Sequence, residues 1–223
     1  MPDRSPALDD VLAKAGLAGY LLSRVGCPPV TGLDRIDPSN LQCAHFADAA
    51  LETIVSIKPA VILLAARWAF YFEGTRYGAE EGPNALFSPE GNVAIVASRL
   101  DATLAILGQL APQLVLVESV PEIGVDVSST LARAAILGRH IDIAPLRFAY
   151  EARQDKSAGA INSLAKKHGA VVIRPEHYLC DEVRCAVERG GRVLYRDYDH
   201  LSQAGAALLI PMFAEILSPS SGE

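Results

Sequence analysis

Three continuous apolar runs constrain this chain most: Ala60-Val61-Ile62-Leu63-Leu64-Ala65-Ala66, Leu114-Val115-Leu116-Val117 leading to Val120, and Ala170-Val171-Val172-Ile173. A strand with one wet face alternates polar and apolar residues, whereas an unbroken run suits a strand covered on both faces. Between the runs the apolar spacing turns helical. Strand alternating with helix at this spacing predicts an α/β fold, a three-layer α/β/α sandwich with a mainly parallel sheet. In such sheets, sites gather at the C-terminal ends of the strands. That rule nominates Gly26 and its loop, Arg67-Trp68, the stretch from Glu118 to Glu122, and the segment containing Asp197 and His200.

The remaining elements follow from their punctuation. Ser5 reads as an N-cap with Pro6 at the first helical position, and the helix from Ala7 to Ala15 closes at Gly16. Gly19 to Val25 reads as a further strand, turning at Gly26-Cys27-Pro28-Pro29. Helical spacing covers Ala44 to Ser56 and about Val93 to Leu110, separated by a Gly- and Glu-rich loop from Phe72 to Gly91. Gly124 to Leu146 carries mixed signals. A long helix from Arg147 to His168 ends at Gly169. Arg189-Gly190-Gly191-Arg192 predicts a tight turn between short strands. The last helix, Gln203 to Leu217, contains Pro211, which kinks it or ends it early.

The chain has 223 residues, half of them hydrophobic, enough for one sizeable core. One domain is expected over residues 1–217, with 218–223 as a tail. The net charge of -6, with 20 scattered basic residues, argues against a nucleic-acid surface. No Gly-rich phosphate loop follows a strand, and no cofactor is expected. The N-terminal residues lack a signal-peptide pattern, and no apolar run approaches the ~20 residues of a membrane span.

Cys27 and Cys43 bracket one loop, and Cys180 and Cys185 bracket another. Even counts at loop edges suggest disulfides and an oxidising compartment, although four cysteines allow three connectivities. Four packed thiols are the alternative. A zinc site from His177, Cys180, Cys185 and His200 is a third option, with cysteines spaced more widely than in the usual knuckle.

The strongest chemical signal is Leu194-Tyr195-Arg196-Asp197-Tyr198-Asp199-His200-Leu201-Ser202, at the passage from a β-like run to the last helix. An Asp that fixes one His tautomer, leaving the other ring nitrogen to take a proton, is the orienting half of a Ser-His-Asp apparatus. The same spacing also suits a capping carboxylate beside a solvent-facing ring, with Asp199 rather than Asp197 touching the backbone.

Taken in order, Gly26-Cys27-Pro28-Pro29, Ala65-Ala66-Arg67-Trp68, Val120-Pro121-Glu122, the Cys180/Cys185 loop and Asp197-x-x-His200-Leu201-Ser202 with Gly205-Ala206 resemble the SGNH (GDSL-like) domain that follows the membrane-spanning part of bacterial type-three acyltransferases. The resemblance implies a flavodoxin-like sheet and acyl-ester chemistry, in which a serine passes an acyl group to a sugar hydroxyl or to water. It implies His200 as general base and Asp197 as its orienting carboxylate, with Gly26 as an oxyanion donor and Arg67 and Trp68 at the substrate pocket. The partners it implies are a carbohydrate acceptor or ester substrate and a membrane acyltransferase domain. It places the chain on the outer side of the cytoplasmic membrane, in keeping with paired cysteines.

The family's Gly-Asp-Ser block, after a first central strand and at the start of the first helix, stands before the position of Pro6-Ala7-Leu8-Asp9 and is missing here. Asp3-Arg4-Ser5 matches it only superficially, and the nucleophile is unassigned. Two descriptions of the lineage follow: an N-terminally incomplete enzyme domain, expected to be inactive as it stands, or a noncatalytic relative that binds a glycan or a partner.

Overall fold

The structure is a computed structural model that describes residues 6–36, 41–75, 87–88 and 91–217. In chain order the elements are α1 (Pro6–Lys14), α2 (Cys43–Ile57), β1 (Val61–Ala65), α3 (Trp68–Glu73), α4 (Val93–Leu107), β2 (Gln113–Val117), α5 (Val127–Ile136), α6 (Arg147–His168), β3 (Val171–Ile173), α7 (Glu176–Leu179), β4 (Glu188–Arg189), β5 (Arg192–Val193), α8 (Gln203–Ala207) and α9 (Ile210–Leu217). Among the described residues, the three apolar runs supply a parallel sheet in the order β1-β2-β3, and β4 pairs antiparallel with β5. Val61 to Ala65 lie opposite Gln113 to Val117, and Val115 to Val117 lie opposite Val171 to Ile173. The chain is thus mixed α/β with a parallel sheet.

The chain forms two compact units, each discontinuous in sequence. One comprises residues 22–119 and 151–174 and contains the parallel sheet. Its core gathers Ile62 and Leu64 of β1, Leu114 and Leu116 of β2, Trp68 and Phe72 of α3, Val96, Leu100 and Leu104 of α4, and Ile161 and Ala165 of α6. The buried positions of α4, Val96, Leu100, Thr103, Leu104 and Leu107, fall on one stripe of 3.6-residue period. β2 pairs on both sides and is buried from Leu114 to Val117, which explains its unbroken apolar run. Cys27 and Cys43 form a disulfide in this unit.

The other unit comprises residues 1–21, 120–150 and 175–223. Its core joins Ile123 and Val127 to Val187, Leu194 and Tyr195, with Leu131, Leu201, Ala204 and Leu208 against them. Asp126 caps α5 by accepting from the Ser129 N–H at 2.7 Å. The Cys180–Cys185 disulfide closes a small loop here. Inside that loop Asp181 accepts from the backbone N–H groups of Val183 and Arg184. Arg184 and Val183 hold the Asp181 carboxyl below its ordinary value.

Several sequence expectations change. Gly19 to Val25 is not a strand: it is hydrogen-bonded to no strand among the described residues, and Tyr20, Leu21, Leu22 and Val25 are exposed. A strand gains its backbone bonds from a neighbour, so apolar content alone does not make one. Trp68 to Glu73 is helical, which moves the start of the expected loop past Phe72. The mixed interval contains α5. The last helix is divided into α8 and α9, with Pro211 in the first turn of α9, where its missing N–H has no intrahelical partner to lose. Ser5 lies outside the described residues.

Candidate active site

The segment from Leu194 to Ser202 folds back on itself. The Ser202 N–H donates to Leu194 O at 2.8 Å, the Arg196 N–H donates to His200 O at 2.9 Å, and Tyr195 bridges Leu201. The Ile123 N–H donates to Tyr198 O at 2.8 Å and the Ser128 hydroxyl to Tyr195 O at 3.0 Å, so the loop is tied to the chain before and within α5. Tyr195 is fully buried, and burial raises its phenol well above the ordinary value. Ser202 caps α8 by accepting from the Gly205 N–H at 3.2 Å, while its own hydroxyl donates to Val193 O at 2.7 Å. A Cβ on Gly205 would lie 2.1 Å from Leu194 O, so only glycine lets α8 approach this closely.

Within the loop, Asp197 Oδ1 accepts from the backbone N–H groups of Asp199 at 3.0 Å and His200 at 2.8 Å. Asp197, and not Asp199, is therefore the carboxylate that touches the backbone. Its Oδ2 lies 2.9 Å from His200 Nδ1 and its Oδ1 3.1 Å from the same atom. Partial burial raises the Asp197 pKa, but the two backbone donors and the His200 ring outweigh it and leave the carboxyl below its ordinary value. The His200 side chain is 52% exposed, and its Nε2 carries no hydrogen bond among the described residues. An ionised Asp on Nδ1 selects the Nδ1–H tautomer and leaves Nε2 with its lone pair free.

One member of this cluster escapes sequence reading. Asp199, only 3% exposed, brings Oδ1 to 2.8 Å from His200 Nδ1. The Asp-x-Asp-His spacing was visible, but nothing in it says which carboxylate is buried. Asp197, Asp199 and His200 each offer a ligand atom within 4.8 Å of the others, the one such trio among the described residues that could hold a metal ion. The zinc option fails, because Cys180 and Cys185 are joined to each other and offer no thiolates.

The other nominated residues belong to the sheet-bearing unit. Gly26 adopts φ +79°, and a Cβ there would lie 2.6 Å from Leu41 Cδ1. Its carbonyl accepts from Arg35 at 3.3 Å, and its N–H donates to no described residue. The Arg67 guanidinium stands 4.9 Å from the Phe70 ring centroid. Trp68 is fully buried: its backbone N–H donates to the Ser119 hydroxyl at 2.9 Å, and its indole N–H donates to Val117 O at 2.8 Å. Such a ring ties α3 to the end of β2. Glu118, also at that strand end, is buried, accepts from Asn162 at 3.1 Å and lies 3.6 Å from Arg174.

Residues 4–215 match a family model described as an SGNH domain fused to AT3 domains. Among solved structures, the periplasmic domain of a lipopolysaccharide acetyltransferase from Salmonella ser. Paratyphi A is similar, with a TM-score of 0.66 and 15% identity, over 95% of this chain and 77% of that one. That likeness is one of fold. No curated protein sequence matches the chain.

Proposed function

The chain belongs to the family of SGNH domains fused to AT3 domains, and on that premise we propose that it serves acyl-ester chemistry on a cell-surface carbohydrate, transferring an O-acyl group or removing one. The observation that carries this reading is the Asp197–His200 contact at 2.9 Å, on a carboxylate pinned by two backbone donors, with Nε2 left to take a proton. His200 is the general base and Asp197 the carboxylate that orients it.

The chemistry is that of an alcohol made nucleophilic. Nε2 removes the proton of a hydroxyl as its oxygen attacks the acyl carbonyl, and returns that proton to the departing oxygen when the tetrahedral intermediate collapses. Asp197 remains ionised, because its carboxyl titrates below the ordinary range. Its charge stabilises the imidazolium formed between the two steps.

Two disulfides and a family defined by fusion to AT3 domains support a place on the outer side of a membrane, beside a membrane acyltransferase domain. No described helix is long and apolar enough to cross a membrane itself. The structural neighbour is the periplasmic domain of a lipopolysaccharide acetyltransferase; acetyl is accordingly the first acyl group to test.

A second reading, a noncatalytic domain that binds a glycan or the membrane partner, is favoured by one observation. No hydroxyl among the described residues bonds to His200. One experiment separates the two. The protein is purified from its own cells, with whatever chain and partner accompany it there, and acetate release from small acetyl esters and O-acetylated sugars is measured. The enzyme reading expects turnover that falls by about 10² or more in His200→Ala; equal turnover in the variant overturns the assignment, and glycan binding without turnover establishes the second reading.

A further inference from the structure

We infer that Asp199 is a second positioning carboxylate for His200: Asp197 takes the hydrogen bond from Nδ1, and Asp199, whose Oδ1 lies 2.8 Å from the same nitrogen without a hydrogen bond to it, acts on the ring through its buried charge. The inference rests on the reading of His200 as a base and deepens it. Nδ1 has Asp197 Oδ2 at 2.9 Å and Asp199 Oδ1 at 2.8 Å. The two carboxylates differ in setting. Asp197 is 26% exposed and committed to the backbone of Asp199 and His200, whereas the Asp199 side chain is 1% exposed. A carboxylate withdrawn from water acts through a lower local dielectric, and its pull on a neighbouring N–H is screened less.

Asp199 is held where it is by its neighbours in the chain. Its own N–H donates to Asp197 Oδ1, and Tyr198 O beside it accepts from the Ile123 N–H. The segment thus presents two carboxylates to one ring nitrogen while the opposite nitrogen stays unbonded. When Nε2 takes the proton of a hydroxyl, no bond at Nδ1 changes. The imidazolium that forms then faces both acidic groups, with Arg196 Nε 3.8 Å from Asp197 Oδ2 as the one cation beside the pair among the described residues. Asp197 accepts from Nδ1 and sets the ring's direction, and the Asp199 charge on the buried side adds to the preference for a proton on Nδ1.

The test reads the ring and needs no turnover. In the 223-residue chain labelled with ¹⁵N-histidine, His200 is assigned by its loss in His200→Gln, and its Nδ1–H proton and both ring nitrogens are observed. Asp199→Asn should move the Nδ1–H resonance upfield, speed its exchange with water several-fold and raise the population of the Nε2–H tautomer. The Ile123 amide, bonded to Tyr198 O, should stay unshifted and so report an intact loop. Unchanged ring signals in Asp199→Asn, beside their loss in Asp197→Asn, would overturn the inference. If the variant does not fold, the unmodified chain decides: the Asp199 carboxyl ¹³C shift should follow the titration of the His200 ring and lose that inflection in His200→Gln, and a flat Asp199 response overturns the inference. Should the ring respond as expected while the natural protein shows no ester turnover, Asp199 keeps its positioning role and the acyl-ester reading falls on its own.

Discussion

Asp197 is the residue at which sequence and chemistry meet most directly. Its spacing from His200 was legible because an Asp three residues before a His can reach both that residue's N–H and its ring; the burial of Asp199 was not, since it depends on how α5 and the loop pack. Its acid behaviour has a definite sign. A carboxyl whose folded value is depressed favours the folded loop at pH values above the unfolded value of about 3.9 and loses that contribution as pH falls through the folded value. The His200 amide, which donates to Asp197 Oδ1, should therefore show an acid step, its bond kept above about pH 4 and lost below it. In Asp197→Asn this acid step should vanish, and its persistence in that variant would contradict the assignment. The measurement is a pH series of amide spectra.

At the scale of elements, legibility follows the source of each element's hydrogen bonds. Helices carry their own, so α2, α4 and α6 could be read from periodicity and end signals, and Gly169 at φ +66° closes α6 as its position suggested. Strands borrow theirs. Gly19 to Val25 has a strand's composition and no strand paired to it among the described residues, and Tyr20, Leu21, Leu22 and Val25 stay exposed instead. The short α5 escaped because its signal is one capping Asp in a stretch of mixed polarity. Gly205 has a clear packing cause in α8, where an added Cβ would meet Leu194 O at 2.1 Å and Leu201 Cδ2 at 3.0 Å. Leu194 O accepts from Ser202, which anchors the loop behind His200. Gly205→Ala should destabilise the chain by about 2 kcal/mol, as overpacking against backbone does. It should also broaden the His200 ring signals; urea unfolding beside the ring spectrum checks both, and an unchanged midpoint would show that α8 can retreat without loss.

For the whole molecule, the determining fact is that half of the residues are hydrophobic while three strands of three to five residues make up its parallel sheet among the described residues. The sheet and the helices around it were readable as an α/β pattern, but the grouping of distant segments into two compact units was not, because contacts between remote parts of a chain leave no local mark. Each unit has one disulfide, and the two close loops of different length: Cys43 stands 16 positions after Cys27, and Cys185 stands 5 positions after Cys180. A cross-link removes more freedom from the unfolded chain when the loop it closes is longer. Replacing Cys27 and Cys43 with alanine should therefore lower unfolding stability by about 3 kcal/mol, and replacing Cys180 and Cys185 by about 2 kcal/mol. Urea midpoints of the two double variants test that order, after peptide mapping without reductant has recovered both links from protein made in an oxidising compartment. Recovery of free thiols there would remove the basis for the order and for an extracytoplasmic setting, while a larger loss from the short loop would mean that Cys180–Cys185 acts on the folded loop around Asp181 rather than on the unfolded chain.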